Sequence, residues 1–466
     1  MNQVIYPTID LFLYDLQDGL GQSNDKIKQK RRRFWERIYG KNISKQRLAE
    51  LELQEENLTN YIELLGTQRI ERFDYPLDGY YYPVKLGDTY ALQIDCSGKE
   101  NDSKWKQLSL LEQLLHIKQI ILKHTQDLPG EIGENWLVWG KLASSNQNPE
   151  AIAQDFYEAL EIVDQPQWKR DRQGKGTLQG ATLFALERPD ITPDRLNRSQ
   201  QMLICLFPHD QTDEQLEKTI RKLYRDLIRI FHYRNKILWV YEQTRQLKDT
   251  LKDSSRAVQK IVDSLPQRLT KPPLNLQQLQ QDLADALSIY HYYQTNLGYL
   301  KEHYSTVKIN TNNYQRRIQE MVKRDPNNNL DFLIRFGNFA TQKYLTQIKN
   351  DYQSLSAGVK PLENFIKAIE GIISIEKTKN ERALNQTVAI ASVGIGTASL
   401  TASTISEQAE GMTKAILPVP ANQATPPSNY WVSFGLSLII SLIVGLFSAV
   451  ITALWLKNTG RTKSRQ

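Results

Sequence analysis

The chain has 466 residues, with 59 Lys and Arg against 52 Asp and Glu, for a formal net charge of +7. This length holds one or two soluble domains and an anchor, while a mean hydropathy of −0.51 excludes a carrier built from many apolar spans. So mild a surplus also excludes a dedicated nucleic-acid binder, on which a basic face would dominate.

At the start of the chain, Asp10, Asp15 and Asp18 interrupt any apolar signal core, so the N-terminal part is expected to stay cytoplasmic. Residues 1–210 alternate short β-like runs with helical stretches. Strands are expected at Thr8–Tyr14, Tyr80–Leu86, Tyr90–Asp95, Trp136–Leu142, Thr182–Glu187 and Met202–Phe207, most of them aromatic or aliphatic and bounded by Gly, Pro or Asp. The clearest helix is Lys104–His124, with Leu110, Leu114, Ile117 and Ile121 on one face. The class this implies is α/β or α+β.

The densest basic run is Lys26, Lys28, Lys30, Arg31, Arg32 and Arg33, followed by Phe34, Trp35, Arg37 and Lys41. A solvated helix face with the two aromatics packed inward accounts for it, and contact with anionic headgroups or nucleic acid is the alternative. Cys96 and Cys205 stand far apart and outside any Cys-x-x-Cys pairing, which argues for a reducing compartment and against a zinc ribbon. Cys205 and His209 are separated by Pro208 at a strand end, a poor metal spacing. Gly174-Lys175-Gly176-Thr177 lacks the preceding glycine of a phosphate loop and reads as a turn. No catalytic arrangement emerges, so an enzyme is not expected, nor a cofactor.

From about Thr212 the pattern turns helical, and residues 211–356 read as a long helical hairpin or coiled-coil region. Leu216, Ile220, Leu223, Leu227, Ile230, Ile237, Tyr241, Thr244, Leu247 and Leu251 keep coiled-coil spacing, with Arg234 as the one interruption. Pro266, Pro272 and Pro273 should end that helix. A second is expected over Leu276–Val322 with a break near Thr311, and a third over Leu330–Ser356. A stalk helix, residues 361–386, starts at Pro361 and carries Leu362, Ile366, Ile369 and Ile373 on one face.

Residues 430–456 contain no charge and are flanked by Tyr430, Trp431 and Trp455; at 1.5 Å per residue they reach ~40 Å, enough to cross a bilayer. Lys457, Arg461, Lys463 and Arg465 form a basic tail (457–466), which should remain cytoplasmic. Two cytoplasmic ends require a second crossing. The candidate is residues 387–406, rich in Ala, Gly, Ser and Thr, with 407–429 as an external loop; a flexible linker is the alternative reading. Gly394, Ala398 and Ala402 in the first segment and Ser437, Ser441 and Gly445 in the second give small-residue faces for helix packing. Thr397, Thr401, Thr404 and Gln408 form a polar stripe suited either to a partner helix or to a pore.

This layout, an α/β domain, long helices, a rod, two C-terminal spans and a basic tail, resembles the CorA-type divalent-cation transporter superfamily, whose first span is followed by Gly-Met-Asn. Here Gly411 and Met412 match that motif and Thr413 departs from it. The resemblance implies a homopentamer in the lipid bilayer, with Thr397, Thr401 and Thr404 lining a pore and Gly411-Met412-Thr413 at its outer mouth. It also implies magnesium or another divalent cation as transported or regulatory ion. A membrane-tethered scaffold or sensor, with the hairpin only as anchor, is the competing expectation.

Overall fold

The computed structural model describes residues 4–379, apart from 20–21, 42, 55–59, 99–102, 127, 163–164, 189–199 and 270–274. Its strands are β1 (Val4–Leu16), β2 (Tyr61–Glu63), β3 (Glu71–Phe73), β4 (Asp78–Leu86), β5 (Thr89–Ser97), β6 (Gly133–Leu142), β7 (Arg172–Leu178), β8 (Ala181–Arg188) and β9 (Gln200–Phe207). The first six helices are α1 (Asn24–Tyr39), α2 (Lys45–Gln54), α3 (Ser103–Gln107), α4 (Leu110–Thr125), α5 (Pro149–Leu160) and α6 (Trp168–Asp171). Then come α7 (Asp213–Leu269), α8 (Leu276–Val322), α9 (Asp331–Phe339), a π-helical segment (Ala340–Leu345), α10 (Thr346–Ser356) and α11 (Val359–Lys379).

The strands form one sheet in the order β2-β4-β5-β1-β6-β9-β8-β7, with β3 also paired to β4. Pairing is antiparallel except between β6 and β9, which run parallel. All six expected strands are present. The short β2 and β3 and the glycine-bearing β7 escaped the alternation criterion.

Strand periodicity assigns the two faces. In β1, Ile9, Leu11 and Leu13 join one core with Phe34, Trp35, Leu114, Ile117, Ile121 and Phe156 from α1, α4 and α5. Phe12, Tyr14 and Leu16 point the other way, into a core shared with α7 and α8. The sheet is therefore the middle layer of three, with apolar side chains on both faces. Phe34 and Trp35 are buried as expected. In the same helix Arg37 is buried too, ion-paired with Asp15 and donating to Pro129 O at 2.8 Å.

Residues 1–369 form one compact unit, and the change from mixed to all-helical pattern near residue 210 falls inside it. Helix α7 starts with Asp213 in its first turn, where a carboxylate favours the helix dipole. Lys141 (2.7 Å) and the Tyr6 hydroxyl (3.0 Å) hold that carboxylate from the sheet side. α8 runs antiparallel to α7: Asp226 near the start of α7 pairs with Arg324 just beyond the end of α8, whereas Asp253 and Lys260 share a groove with Asp285 and Ser288. The Lys248–Asp351 pair (2.6 Å) and the bond from Tyr293 to Leu355 O (2.7 Å) fasten α10 onto both.

Four expectations are corrected. The helix expected over Lys104–His124 is two, because Ser109 caps α4 through a reciprocal box with Glu112. α8 is unbroken at Thr311, which is buried, while its neighbour Asn310 donates to Thr306 O along the same helix. α7 extends through Pro266 to Leu269. Gly174-Lys175-Gly176-Thr177 is no turn but the middle of β7, where Thr177 and Asn329 exchange backbone bonds of 2.9 Å. The two glycines exist for that approach, since a Cβ on Gly176 would collide with Asn329 O and one on Gly174 with Phe332.

Gly176→Val forces a side chain against the Asn329 backbone carbonyl at this seam, so it should destabilise the folded unit by about 1–3 kcal/mol. Urea denaturation of the two chains measures the difference; equal midpoints would show that the seam yields freely.

Candidate functional site

The residues singled out by sequence for a pore or for packing lie outside the described residues. These are Thr397, Thr401, Thr404 and Gln408, the motif Gly411, Met412 and Thr413, and the packing positions Gly394, Ala398, Ala402, Ser437, Ser441 and Gly445. Both charge-free segments lie there as well. Among the described residues no helix is long and apolar enough to cross a membrane, and no group of three or more His, Cys, Asp or Glu converges as a metal site. Cys205 is buried in β9, while His209 sits exposed in the turn that follows.

What the fold does bring together is a polar stripe on the α7 face of the sheet. Tyr80, Asp95 and Asp10 are register partners on β4, β5 and β1. Parity places them on the same face as Phe12 and Tyr14, beneath α7. Asp10 is 0% exposed and Asp95 8%. Gln93 donates to Asp10 Oδ1 at 2.7 Å. The Tyr224 hydroxyl of α7 donates to Asp95 Oδ2 at 2.8 Å and itself accepts from Trp139 Nε1 at 2.8 Å.

Burial pushes the Asp10 carboxyl well above the ordinary carboxylate range, and the neighbouring Asp95 pushes it further. Asp95 is raised in turn, by burial. Two adjoining carboxyls in a dry layer cannot both ionise, so the pair retains a proton that can bridge them. Such a sealed pair has no access for a substrate; it links β1 and β5 to α7.

The stripe continues along the sheet. Asn235 of α7 donates to Asn135 Oδ1 (2.6 Å), and Asn135 donates to Gln201 Oε1 (3.1 Å). Tyr14 donates to Ile228 O at 2.8 Å, and Lys236 pairs with Asp88 at 2.8 Å. Between them lies His232, held to about 3 by burial and by Lys236. Arg234, the interruption in the coiled-coil spacing, is buried and paired with Glu187 of β8, its guanidinium 4.8 Å from the Phe336 ring centroid.

A second polar feature lies on the helices. Tyr304, Lys308, Asn312 and Gln315 of α8 face Asn338, Thr341, Gln342, Leu345, Thr346 and Lys349 around the π-helical segment, enclosing a groove of about 460 Å³. Gln315 reaches Asn338 at 3.4 Å, and a Cβ on Gly337 would meet Gln315 Cγ at 2.7 Å, so glycine permits this close crossing.

Sequence reasoning passed over both features. Asp95 entered only as the end of an expected strand and Asp10 as a strand residue and a break in any signal core, although their inward parity was readable from Phe12 and Tyr14. The amides of the groove carry no periodic signal. Comparison with known proteins adds no relative: no family model, no curated protein and no solved structure matches the chain.

A carboxyl that is raised in the folded chain keeps its full stability contribution below the ordinary range near ~4 and loses it as pH climbs toward the folded value. Asp10→Asn preserves the bond with Gln93 and removes that loss. The melting temperature of the variant minus that of the native chain should therefore grow as pH rises from about 5 to 8. A difference that stays constant across this range would exclude the shared proton.

Proposed function

We propose that the chain is a membrane-anchored, oligomeric divalent-cation channel or transporter of CorA-like organisation, with both termini cytoplasmic. The observation that carries this reading is the order of elements. A layered mixed sheet comes first and a pair of long antiparallel helices second, and α11 then leads in sequence toward two charge-free segments, the first bearing a hydroxyl stripe, with a Gly-Met pair in the loop between them. In this reading the sheet and the long helices form the sensing part. Residues 387–406 and 430–456 form the membrane hairpin, and Thr397, Thr401 and Thr404 present hydroxyls that contact a cation through its retained water. Magnesium or another strongly hydrated divalent ion is the cargo.

One departure favours a second reading. Thr413 stands where the resembling family has asparagine, a residue tied there to recognition of the hydrated ion. Without that selectivity element the hairpin serves as an anchor, and the soluble part acts as a scaffold or sensor for a protein partner.

Flux separates the two. Purified chain in liposomes should admit magnesium or cobalt down a gradient, and Thr397→Leu should reduce entry by about tenfold or more by replacing a water-contacting hydroxyl with an apolar wall. Ion flux that is absent under every gradient, with the protein inserted and folded, would leave the scaffold reading. A tag after Gln466 accessible from the side opposite to one before Met1 would remove the hairpin itself.

A further inference from the structure

The groove beside the π-helical segment has no carboxylate in its lining, unlike the groove between α7 and α8, which holds Asp253 and Asp285. Of its ten lining residues, two are lysines and none is acidic; four are the amides Asn312, Gln315, Asn338 and Gln342, and two are the threonines Thr341 and Thr346. Some other cations on these helices sit beside carboxylates: Lys248 with Asp351, Arg256 with Asp253, and Arg317 with Asp226 and Glu320. Neither Lys308 nor Lys349 has an ion pair among the described residues, and they reach the groove from different helices, α8 and α10. Amide donors around two ammonium groups fit the oxygens of a phosphate ester, while the Thr341 and Thr346 hydroxyls donate along their own helix, to Gly337 O and Thr341 O.

The remaining walls are Tyr304 and Leu345, an aromatic ring and an aliphatic side chain that suit the flat, weakly polar face of a base. A volume of about 460 Å³ lies within the range of small-ligand sites. The backbone supplies a separate indication. A π-helical turn is less favourable than the α-helical turns on either side and recurs where helices carry binding sites. Here Ala340–Leu345 contributes Thr341, Gln342 and Leu345 to the groove.

We propose that this groove binds a nucleoside phosphate, with Lys308 and Lys349 holding the phosphates, the amides fixing their orientation, and Tyr304 with Leu345 flanking the base. The site belongs to the helical layer and is independent of whether the membrane segments conduct ions.

The test uses the full chain in detergent, titrated calorimetrically with ATP and with pyrophosphate, and separately with nanodiscs of anionic lipid. Saturable binding of ATP at one site per chain is expected, with pyrophosphate competing more weakly. The double variant Lys308→Glu, Lys349→Glu should weaken ATP binding by about tenfold or more through charge reversal. Lys260→Glu, in the separate groove between α7 and α8, should leave it unchanged. Both lysines are exposed, so the variant should melt like the native chain. Lys308→Met with Lys349→Met provides a milder replacement if it does not. Absence of saturable ATP binding, binding confined to anionic nanodiscs, or binding that survives both charge-altered variants overturns the proposal.

Discussion

The constraint on which the rest of the fold depends is that α7 is buried on two sides. Tyr224, Ile228, Phe231, His232 and Asn235 recur at helical spacing and meet the sheet, through the Asp95 bond, the Tyr14 bond, the edge-on Phe12–Phe231 pair at 5.2 Å and the Asn135 bond. Leu223, Leu227, Ile230, Arg234 and Ile237 occupy other sides of the helix, and Arg234 reaches α9. A helix so enclosed fixes the sheet and the helical layer relative to one another within the unit. It cannot rotate about its axis without breaking both sets of contacts.

One side of that enclosure is unusually polar. A layer of hydrogen-bonded Asp, Asn, Gln, Tyr and Trp is weaker as glue than an apolar layer of the same area, because each group gives up water to enter it. Its return is specificity: each partner has a defined position, and a shift of α7 by one residue would leave several buried donors and acceptors unpaired. Retention of a proton by the Asp10–Asp95 pair follows from the same dryness.

These features explain which parts of the fold were legible in the sequence. β1, β4, β5, β6, β8 and β9 were readable because aromatic and aliphatic runs bounded by turn formers have one cheap interpretation. The helix-facing stripe of α7 was readable as a heptad pattern. Its sheet-facing stripe was not, since Tyr224, His232 and Asn235 look solvent-exposed by type, and only a polar partner on the sheet makes their burial tolerable. The glycines of β7 suggested a turn because their cause, close approach of Asn329, lies some 150 positions further along the chain. Ser109 was a local cap signal that helical periodicity outweighed in the reading. Of the candidate sites, the hydroxyl stripe and the Gly-Met motif could be named from sequence alone. The groove could not, because it is assembled from three helical segments with no shared periodicity.

The π-helical segment has one further consequence. Leu333, Gly337 and Ala340 are buried at ordinary helical intervals, and the next fully buried position is Ile348, where an uninterrupted α-helix would put Gln347. The wider coil absorbs one surplus residue and so changes the phase of everything after it by about 100°. Straightening the segment into plain α-helix without removing a residue would turn Ile348 away from its apolar neighbours, whereas deleting a single residue there would leave Ile348 on the same side. The chain thus contains a built-in angular offset, and one residue's worth of extra winding brings to α8 the side of α10 on which Ile348 lies.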